Sequence, residues 1–378
     1  MILNGIFGAL AVLSLLLMLW QWLVARRFPL HQRISDNSFA PAVTLLKSLK
    51  GCDETTEDCL RSWLTQNYAG PVQIIFGAAS ADDPVCDIVK KLLKELSASD
   101  ARLIICGPPT GANAKISKLA ELEKLAKHEI LLISDADVRV PPDFLANVVA
   151  QLRASGVGLV NCFYRLANPT TLAMRWEAVA INADFWSQVL QSQGLKPLDF
   201  ALGAVIATRR QQLEEIGGLQ SLADCLADDY QLGNRMARRG KRIVISPVVV
   251  ECWSAPMSWA AVWKHQLRWA RTIRVCQPVP YFFSILSNAT LWPLLWLMIH
   301  PTNPVLIFSI GCWLVRAIAA MNLEQRLTRS RAHLPCLWMA WIKDLLQTAV
   351  WFWAFAGNRI EWRGQLYRLQ SNGTLMKI

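Results

Sequence analysis

Two aspartates separated by one residue, Asp135-Ala136-Asp137, directly follow the apolar run Ile130-Leu131-Leu132-Ile133. Carboxylates at that spacing, just past a buried strand, can share a hard divalent cation, Mg²⁺ or Mn²⁺, whose other positions go to water and phosphate oxygens. Such an ion would neutralise a diphosphate leaving group; the plainer reading is a capped turn ahead of Pro141-Pro142. A second acidic pair, Asp228-Asp229-Tyr230, opens the helical pattern Gln231–Arg239. These residues suit helix capping and the helix dipole. One of them could equally serve as the general base that takes a proton from an attacking hydroxyl. A third string, His265-Gln266-Leu267-Arg268-Trp269, pairs a guanidinium with a large ring. It suits a membrane interface, and it also suits holding a departing diphosphate and closing its pocket to water.

These residues need a scaffold. Between Ala42 and Ser246, β-rich runs alternate with helical patterns. Strands are expected at Val43–Leu46, Val72–Phe76, Leu103–Cys106, Ile130–Ser134 and Gly158–Phe163, and helices at Glu57–Thr65, Val85–Leu96, Lys115–Lys127 and Asp143–Leu152. This alternation predicts β-α-β units and a mostly parallel sheet, which takes ligands at the carboxyl ends of its strands. Four such ends carry chemistry: Lys50-Gly51-Cys52-Asp53, Asp82-Asp83-Pro84, Gly111-Ala112-Asn113-Ala114-Lys115 and Asp135-Ala136-Asp137. Each alone is an ordinary polar turn. Four on one edge make a site.

The flanks of the 378-residue chain are apolar. Ile2–Val24 is long enough to cross a ~30 Å hydrocarbon core. Trp20 and Trp22 are interfacial anchors, and Arg26-Arg27 hold the following chain in the cytoplasm. A cleaved signal peptide would carry its basic residues before the run. Pro278–His300, Pro304–Met321 and Leu334–Ala356 are three further apolar stretches. The last contains Lys343 and Asp344, and beyond it lie Arg359, Arg363 and Arg368. Spanning would there break the positive-inside rule, whereas a re-entrant or interfacial helix pair would not. Trp253–Arg274 mixes aromatic and basic residues as a helix in the headgroup layer does, or as an ordinary amphipathic surface helix does. The organisation expected is an anchor at 1–25, a cytoplasmic α/β domain at 40–250, an interfacial helix at 253–275, membrane helices at 278–357 and a basic tail at 358–378.

The net charge of +11 reflects 39 Lys and Arg against 28 Asp and Glu. Much of the excess flanks apolar runs, which points to a membrane surface; no zinc-finger spacing or RNA-binding signature supports nucleic acid. The ten cysteines form no C-x-x-C pair, so buried reduced thiols are expected. His31, His128 and His333 have no neighbours that suggest catalysis.

Together these strings resemble ceramide glucosyltransferases and, more closely, the bacterial glycosyltransferases of hopanoid lipid biosynthesis. The matching stretches are residues 43–51, Asp82-Asp83-Pro84, Asn113-Ala114-Lys115, residues 134–140, Leu226-Ala227-Asp228-Asp229-Tyr230, Arg268-Trp269 and the tail 362–369. Where the motif ending in Arg-Trp usually begins with Gln or Arg, His265 stands here. Residues 172–208 match the ceramide enzymes poorly apart from Gly203.

The resemblance implies a GT-A fold, an inverting mechanism and a nucleotide-sugar donor. It assigns Asp83 to the uracil and ribose side, Asp135 and Asp137 to metal and diphosphate, and Asp229 to the base. Arg268 and Trp269 fall at the diphosphate end of the donor. Lys50 and Lys115 join the donor-binding set, with Asp53, Asp228 and His265 as secondary candidates. The expected reaction moves a hexose, N-acetylglucosamine or glucose, from UDP to a hydroxyl of a membrane lipid. The acceptor would be a hopanoid polyol, or else ceramide or diacylglycerol. The bacterial branch implies an inner-membrane protein with its catalytic domain in the cytoplasm. A processive polysaccharide synthase shares the carboxylates but needs more membrane segments for a translocation channel. A catalytically dead membrane receptor would not need every carboxylate.

Overall fold

A computed structural model describes the chain except residues 35, 37, 98–99, 332–337 and 363. His333, Arg363 and the opening of the apolar run at 334 lie outside the described residues. The chain divides into two units: one comprises 30–168, 197–255 and 373–378, the other 1–29, 169–196 and 256–372.

The first unit is built on an eight-stranded sheet. Its strands are β1 (Val43–Ser48), β2 (Val72–Ala78), β3 (Ala101–Ile105), β4 (Ile130–Ser134), β5 (Val138–Arg139), β6 (Val157–Leu166), β7 (Val205–Arg209) and β8 (Arg242–Cys252). They lie side by side in the order β3-β2-β1-β4-β7-β6-β8-β5. The residues of β1 and β4 are buried on both faces, as a central strand covered by helices requires. β1 pairs in parallel with both neighbours, Lys47 standing opposite Phe76 on one side and Ser134 on the other. That register delivers the ends of β1, β2 and β4 to one edge.

The sheet is mixed. β7 runs against both β4 and β6, and β5 runs against β8, while the other pairs are parallel. Reversal brings the start of β7, not its end, to the loaded edge, with Ser134 opposite Val205. The apolar core beneath includes Trp63, Phe76, Leu132, Phe144 and Val160, and the Trp63 indole donates to the Val138 carbonyl at 2.9 Å. The expected helices appear at Thr56–Leu64, Val85–Glu95, Ala114–Glu123 and Phe144–Gln151. Three strands were not apparent in the pattern. β5 is two residues long, β7 runs against its neighbours, and β8 contains Pro247, which ordinarily argues against a strand. A bulge in the β6–β8 pairing accommodates it.

In the second unit, residues 169–196 group with the apolar helices. Helix Trp186–Gln193 packs there through polar contacts, with Gln21 donating to the Ser187 hydroxyl at 2.6 Å and Gln191 to the Leu17 carbonyl at 3.0 Å. Among the described residues, Ile2–Arg27 and Asn303–Thr328 are the two helices long and apolar enough to cross a membrane. Each rises about 39 Å over its 26 residues. The stretch expected as one span over Pro278–His300 is broken, with helices Pro278–Phe283 and Leu291–Ile299 bent by 57°. The Asn288 carboxamide oxygen accepts from the Thr290 and Leu291 amides and so starts a fresh helix. Among the described residues, the last apolar stretch carries the 16-residue helix Met339–Ala354, about 24 Å long.

The charges that made that stretch anomalous are paired. Arg316 bonds Asp344 at 2.8 Å and Asp184 at 2.8 Å. Lys343 meets Asp344 at 2.9 Å and also contacts Asp184, and the Thr290 hydroxyl donates to Asp344 at 2.6 Å. Two cations and two anions, all buried, satisfy one another, which is what allows them in an apolar bundle. Asp184 lies in a π-helical segment, Ala180–Phe185.

Candidate active site

The loop after β4 turns at Asp135-Ala136-Asp137 because β5 folds back onto the end of β8, Val138 facing Cys252. The Asp137 carbonyl accepts from the Trp253 amide at 3.0 Å. Beneath the turn lies Lys47, fully buried, its ammonium donating to the Asp135 carbonyl at 2.6 Å and to the Ser134 hydroxyl at 3.1 Å. It also lies 4.8 Å from the centre of the Trp63 ring, and burial lowers its pKa to about 8. Lys47 thus fixes the turn by its backbone and leaves the carboxylates clear above.

Those carboxylates are electrostatically frustrated. The side chain of Asp137 touches solvent, yet the mass of protein around the concave edge, and next the Asp135 charge, push its pKa up to about 6. A cation beside them would relieve both effects. One already stands there: the Lys115 ammonium lies 2.6 Å from Asp135 Oδ1 and 3.1 Å from Asp228 Oδ2. Burial works against its charge, but Asp135 and Asp228 outweigh burial and raise its pKa above the ordinary lysine value. Among the described residues, no three His, Cys, Asp or Glu side chains converge to hold a metal. Asp135 and Asp137 supply two carboxylates, the number Mg²⁺ or Mn²⁺ takes from a protein when substrate phosphates complete its shell.

Asn113 holds the Lys115 loop against the Asp228 loop. Its carboxamide oxygen caps helix Ala114–Glu123 by accepting from the Lys115 and Ile116 amides, and its Nδ2 donates to the Cys225 carbonyl at 2.9 Å. The Asn113 amide donates to the Ala223 carbonyl at 2.7 Å, and the Ala112 amide to the Asp224 carboxylate at 2.9 Å. From the far side, residues 373–378 brace the same loop, the Leu375 amide donating to the Asp224 carbonyl at 2.8 Å.

Asp228 and Asp229 open helix Asp228–Arg238. Asp229 Oδ1 accepts from the Tyr230 amide at 2.8 Å. Its side chain is partly exposed; enclosure by protein and, next, the adjacent Asp228 push its pKa up to about 7. Two glycines make the placement possible. A Cβ on Gly233 would lie 2.3 Å from the Ala201 nitrogen, so only glycine lets the helix approach that closely. A Cβ on Gly203, at the head of the reversed β7, would lie 2.8 Å from Asp229 Oδ2.

The remaining candidates on this edge have other employment. Asp83 accepts from the Gly51 amide through both oxygens, at 3.0 and 3.1 Å, and from the Val85 amide at 3.1 Å, tying the β1 and β2 loops together. Asp53 Oδ1 accepts from the Thr55 amide and the Thr55 and Thr56 hydroxyls, a local turn leading into the next helix. Lys50 is exposed just beyond β1.

Comparison with known proteins settles the class, for the model of glycosyl transferase family 21 matches residues 6–375. The chain belongs to that family. As a family 21 glycosyltransferase it is 22% identical to ceramide glucosyltransferase 3 of Caenorhabditis elegans, over 93% of this chain and 77% of the relative. It is 28% identical to the Candida albicans ceramide glucosyltransferase, over 32% of this chain and 24% of that one. It is 23% identical to the probable glycosyltransferase YdaM of Bacillus subtilis, over 67% and 59%. The fold is shared with the mannosyltransferase PcManGT from Pyrobaculum calidifontis, solved with GDP-Man and Mn²⁺, at a TM-score of 0.55 and 20% identity over 92% of this chain and 99% of that one. That likeness confirms the GT-A-like sheet.

The family 21 chain carries its Arg-Trp string on the other unit, in helix Trp259–Cys276, capped by the Ser258 hydroxyl. His265 packs edge-on against Trp269, 4.6 Å between ring centres, and its Nδ1 lies 2.7 Å from Glu177 Oε1. Gln266 donates to the same oxygen at 2.8 Å, and the Glu177 carboxylate is fully buried. Glu177, Lys47 and Gly233 were not singled out by the sequence: a buried acid reads as a surface residue of a helix, and a lysine within a strand reads as an alternation break.

Proposed function

We propose that this family 21 enzyme transfers a hexose from a UDP-sugar to a hydroxyl of a membrane lipid, with inversion at the anomeric carbon. One observation carries the reading. Asp229 is a carboxylate with a pKa near 7, held beside the Lys115–Asp135–Asp228 cluster at the sheet edge where GT-A-like folds bind donors. A base at that pKa is ionised when needed and strong enough to accept a hydroxyl proton. The Asp229 carboxylate takes that proton as the acceptor oxygen attacks the anomeric carbon and the bond to UDP breaks.

Asp135 and Asp137 would hold a divalent cation, whose charge would offset that of the departing diphosphate. Lys115 adds a monovalent charge at the same place, and Asp83 stands on the nucleoside side through its hold on the β1 loop. The resemblance assigns Arg268 and Trp269 to the diphosphate end of the donor, with Glu177 fixing the His265 ring beside them.

The worm relative's name favours ceramide as acceptor. The strings Leu226–Tyr230 and Arg268–Arg274 favour a hopanoid polyol, by their resemblance to the bacterial branch. The protein then sits in a bacterial inner membrane with its sheet unit in the cytoplasm. The test is turnover by the detergent-purified chain on UDP-glucose and UDP-N-acetylglucosamine with each lipid, read as UDP release and glycolipid mass. Asp229→Asn should abolish turnover and keep UDP binding. Asp135→Ala should lose metal stimulation and donor binding together. Normal rates from the Asp229 variant would defeat the base assignment, and UDP released without glycolipid would defeat the transfer.

A further inference from the structure

We infer that Lys115 is a built-in counter-ion that keeps the metal site closed until the sugar donor arrives, so that cation and donor load together. This rests on the reading of Asp135 as a metal ligand. The geometry is specific: the ammonium engages Asp135 Oδ1 at 2.6 Å and Asp228 Oδ2 at 3.1 Å, two carboxylates from different loops. Its side chain is largely buried, so it does not swing freely in solvent. Its loop is also immobilised, since Asn113 caps the helix on which Lys115 sits and bonds the Cys225 carbonyl.

A divalent ion approaching alone must therefore share the Asp135 carboxylate with a protein-held cation. It would also crowd two positive charges among the same few carboxylates. A nucleoside diphosphate changes that balance. Its phosphate oxygens give the ammonium a new anion while Asp228 still holds it, and they bring further oxygens for the ion. Lys115 thus acts in two ways, against the ion when the donor is absent and for the donor when the ion is present. The coupling is reciprocal, so the donor tightens the ion as much as the ion tightens the donor. It would also keep an unloaded enzyme from collecting metal ions that lead nowhere.

The experiment measures Mn²⁺ binding to the full chain in detergent, by the electron paramagnetic resonance signal of free Mn²⁺, with and without UDP. An opposite charge within ~4–6 Å typically biases a carboxylate by about tenfold to a thousandfold. Lys115→Met should accordingly bind Mn²⁺ alone at least about tenfold more tightly than wild type. The gain on adding UDP should shrink in the same variant. Lys115→Gln, which can still hydrogen-bond both carboxylates, repeats the measurement if the methionine variant folds poorly. Unchanged or weaker nucleotide-free Mn²⁺ affinity in both variants, with UDP still recruiting the ion, would overturn the counter-ion role and leave the metal assignment standing. Absence of Mn²⁺ binding in every protein, with UDP present, would overturn the metal assignment and this inference with it.

Discussion

Substituting Gly203 by alanine moves one methyl into the space beside the proposed base. The added Cβ would lie 2.8 Å from Asp229 Oδ2, 3.3 Å from its Cγ and 3.5 Å from its Cβ. To regain ordinary contact the carboxylate must retreat by roughly half an ångström or more. It cannot simply pivot, because Oδ1 is held by the Tyr230 amide at 2.8 Å and the start of β7 is fixed by its pairing with β4. Misplacing a reacting group by about 1 Å can cost ~10²-fold in rate, so half that displacement should lower kcat by about tenfold, or ~1.4 kcal/mol of barrier. Donor affinity should stay within about twofold, since the donor cluster is on the neighbouring loops. The assay is initial-rate kinetics on the detergent-purified chain, with UDP binding and melting temperature measured alongside. A variant that melts like wild type, binds UDP like wild type and keeps its full kcat would refute the claim that Gly203 makes room for a catalytic carboxylate.

The raised pKa of Asp229 gives two signatures. A base must be ionised, so kcat/KM should fall as pH drops through about 7. The same carboxylate disfavours folding when charged. Asp229→Asn should therefore melt higher than wild type at pH 8, with the advantage fading as pH falls from about 7 toward 4; an advantage independent of pH would contradict it. In the helical unit, Arg316→Met strips the guanidinium from Asp184 and Asp344 and should destabilise that unit by about 3–5 kcal/mol, seen as a lowered melting temperature in detergent.

Much of the sheet edge was legible because its signals are local. Parallel strands with continuous apolar runs announce themselves, and polar turns at Asp83, Asn113, Lys115 and Asp135 follow from where those runs stop. Fully buried β1 and β4 meant that register had few options, so the loaded ends had to meet. What stayed hidden depends on contacts across the chain. The turn that Asp53 forms with Thr55 and Thr56 was not legible, since an acidic residue at a strand end suits a site and a helix approach alike. β7 and β8 were missed because reversal and a proline erase the usual pattern. Lys343 and Asp344 appeared to forbid an apolar setting until Asp184 and Arg316, distant in sequence, supplied partners. Residues 169–196 read as part of the sheet domain because a helix carries no mark of which body it joins.

The reversal of β7 also divides labour. The proposed donor residues Asp83, Lys115 and Asp135 follow forward strands, whereas Gly203, beside the proposed base, precedes the backward strand β7. A side chain at position 203 would meet Asp229 first, and none of the three atoms nearest to it belongs to Lys115, Asp135 or Asp137. If Asp229 is the base, that one position is where a designer seeking new acceptors would begin.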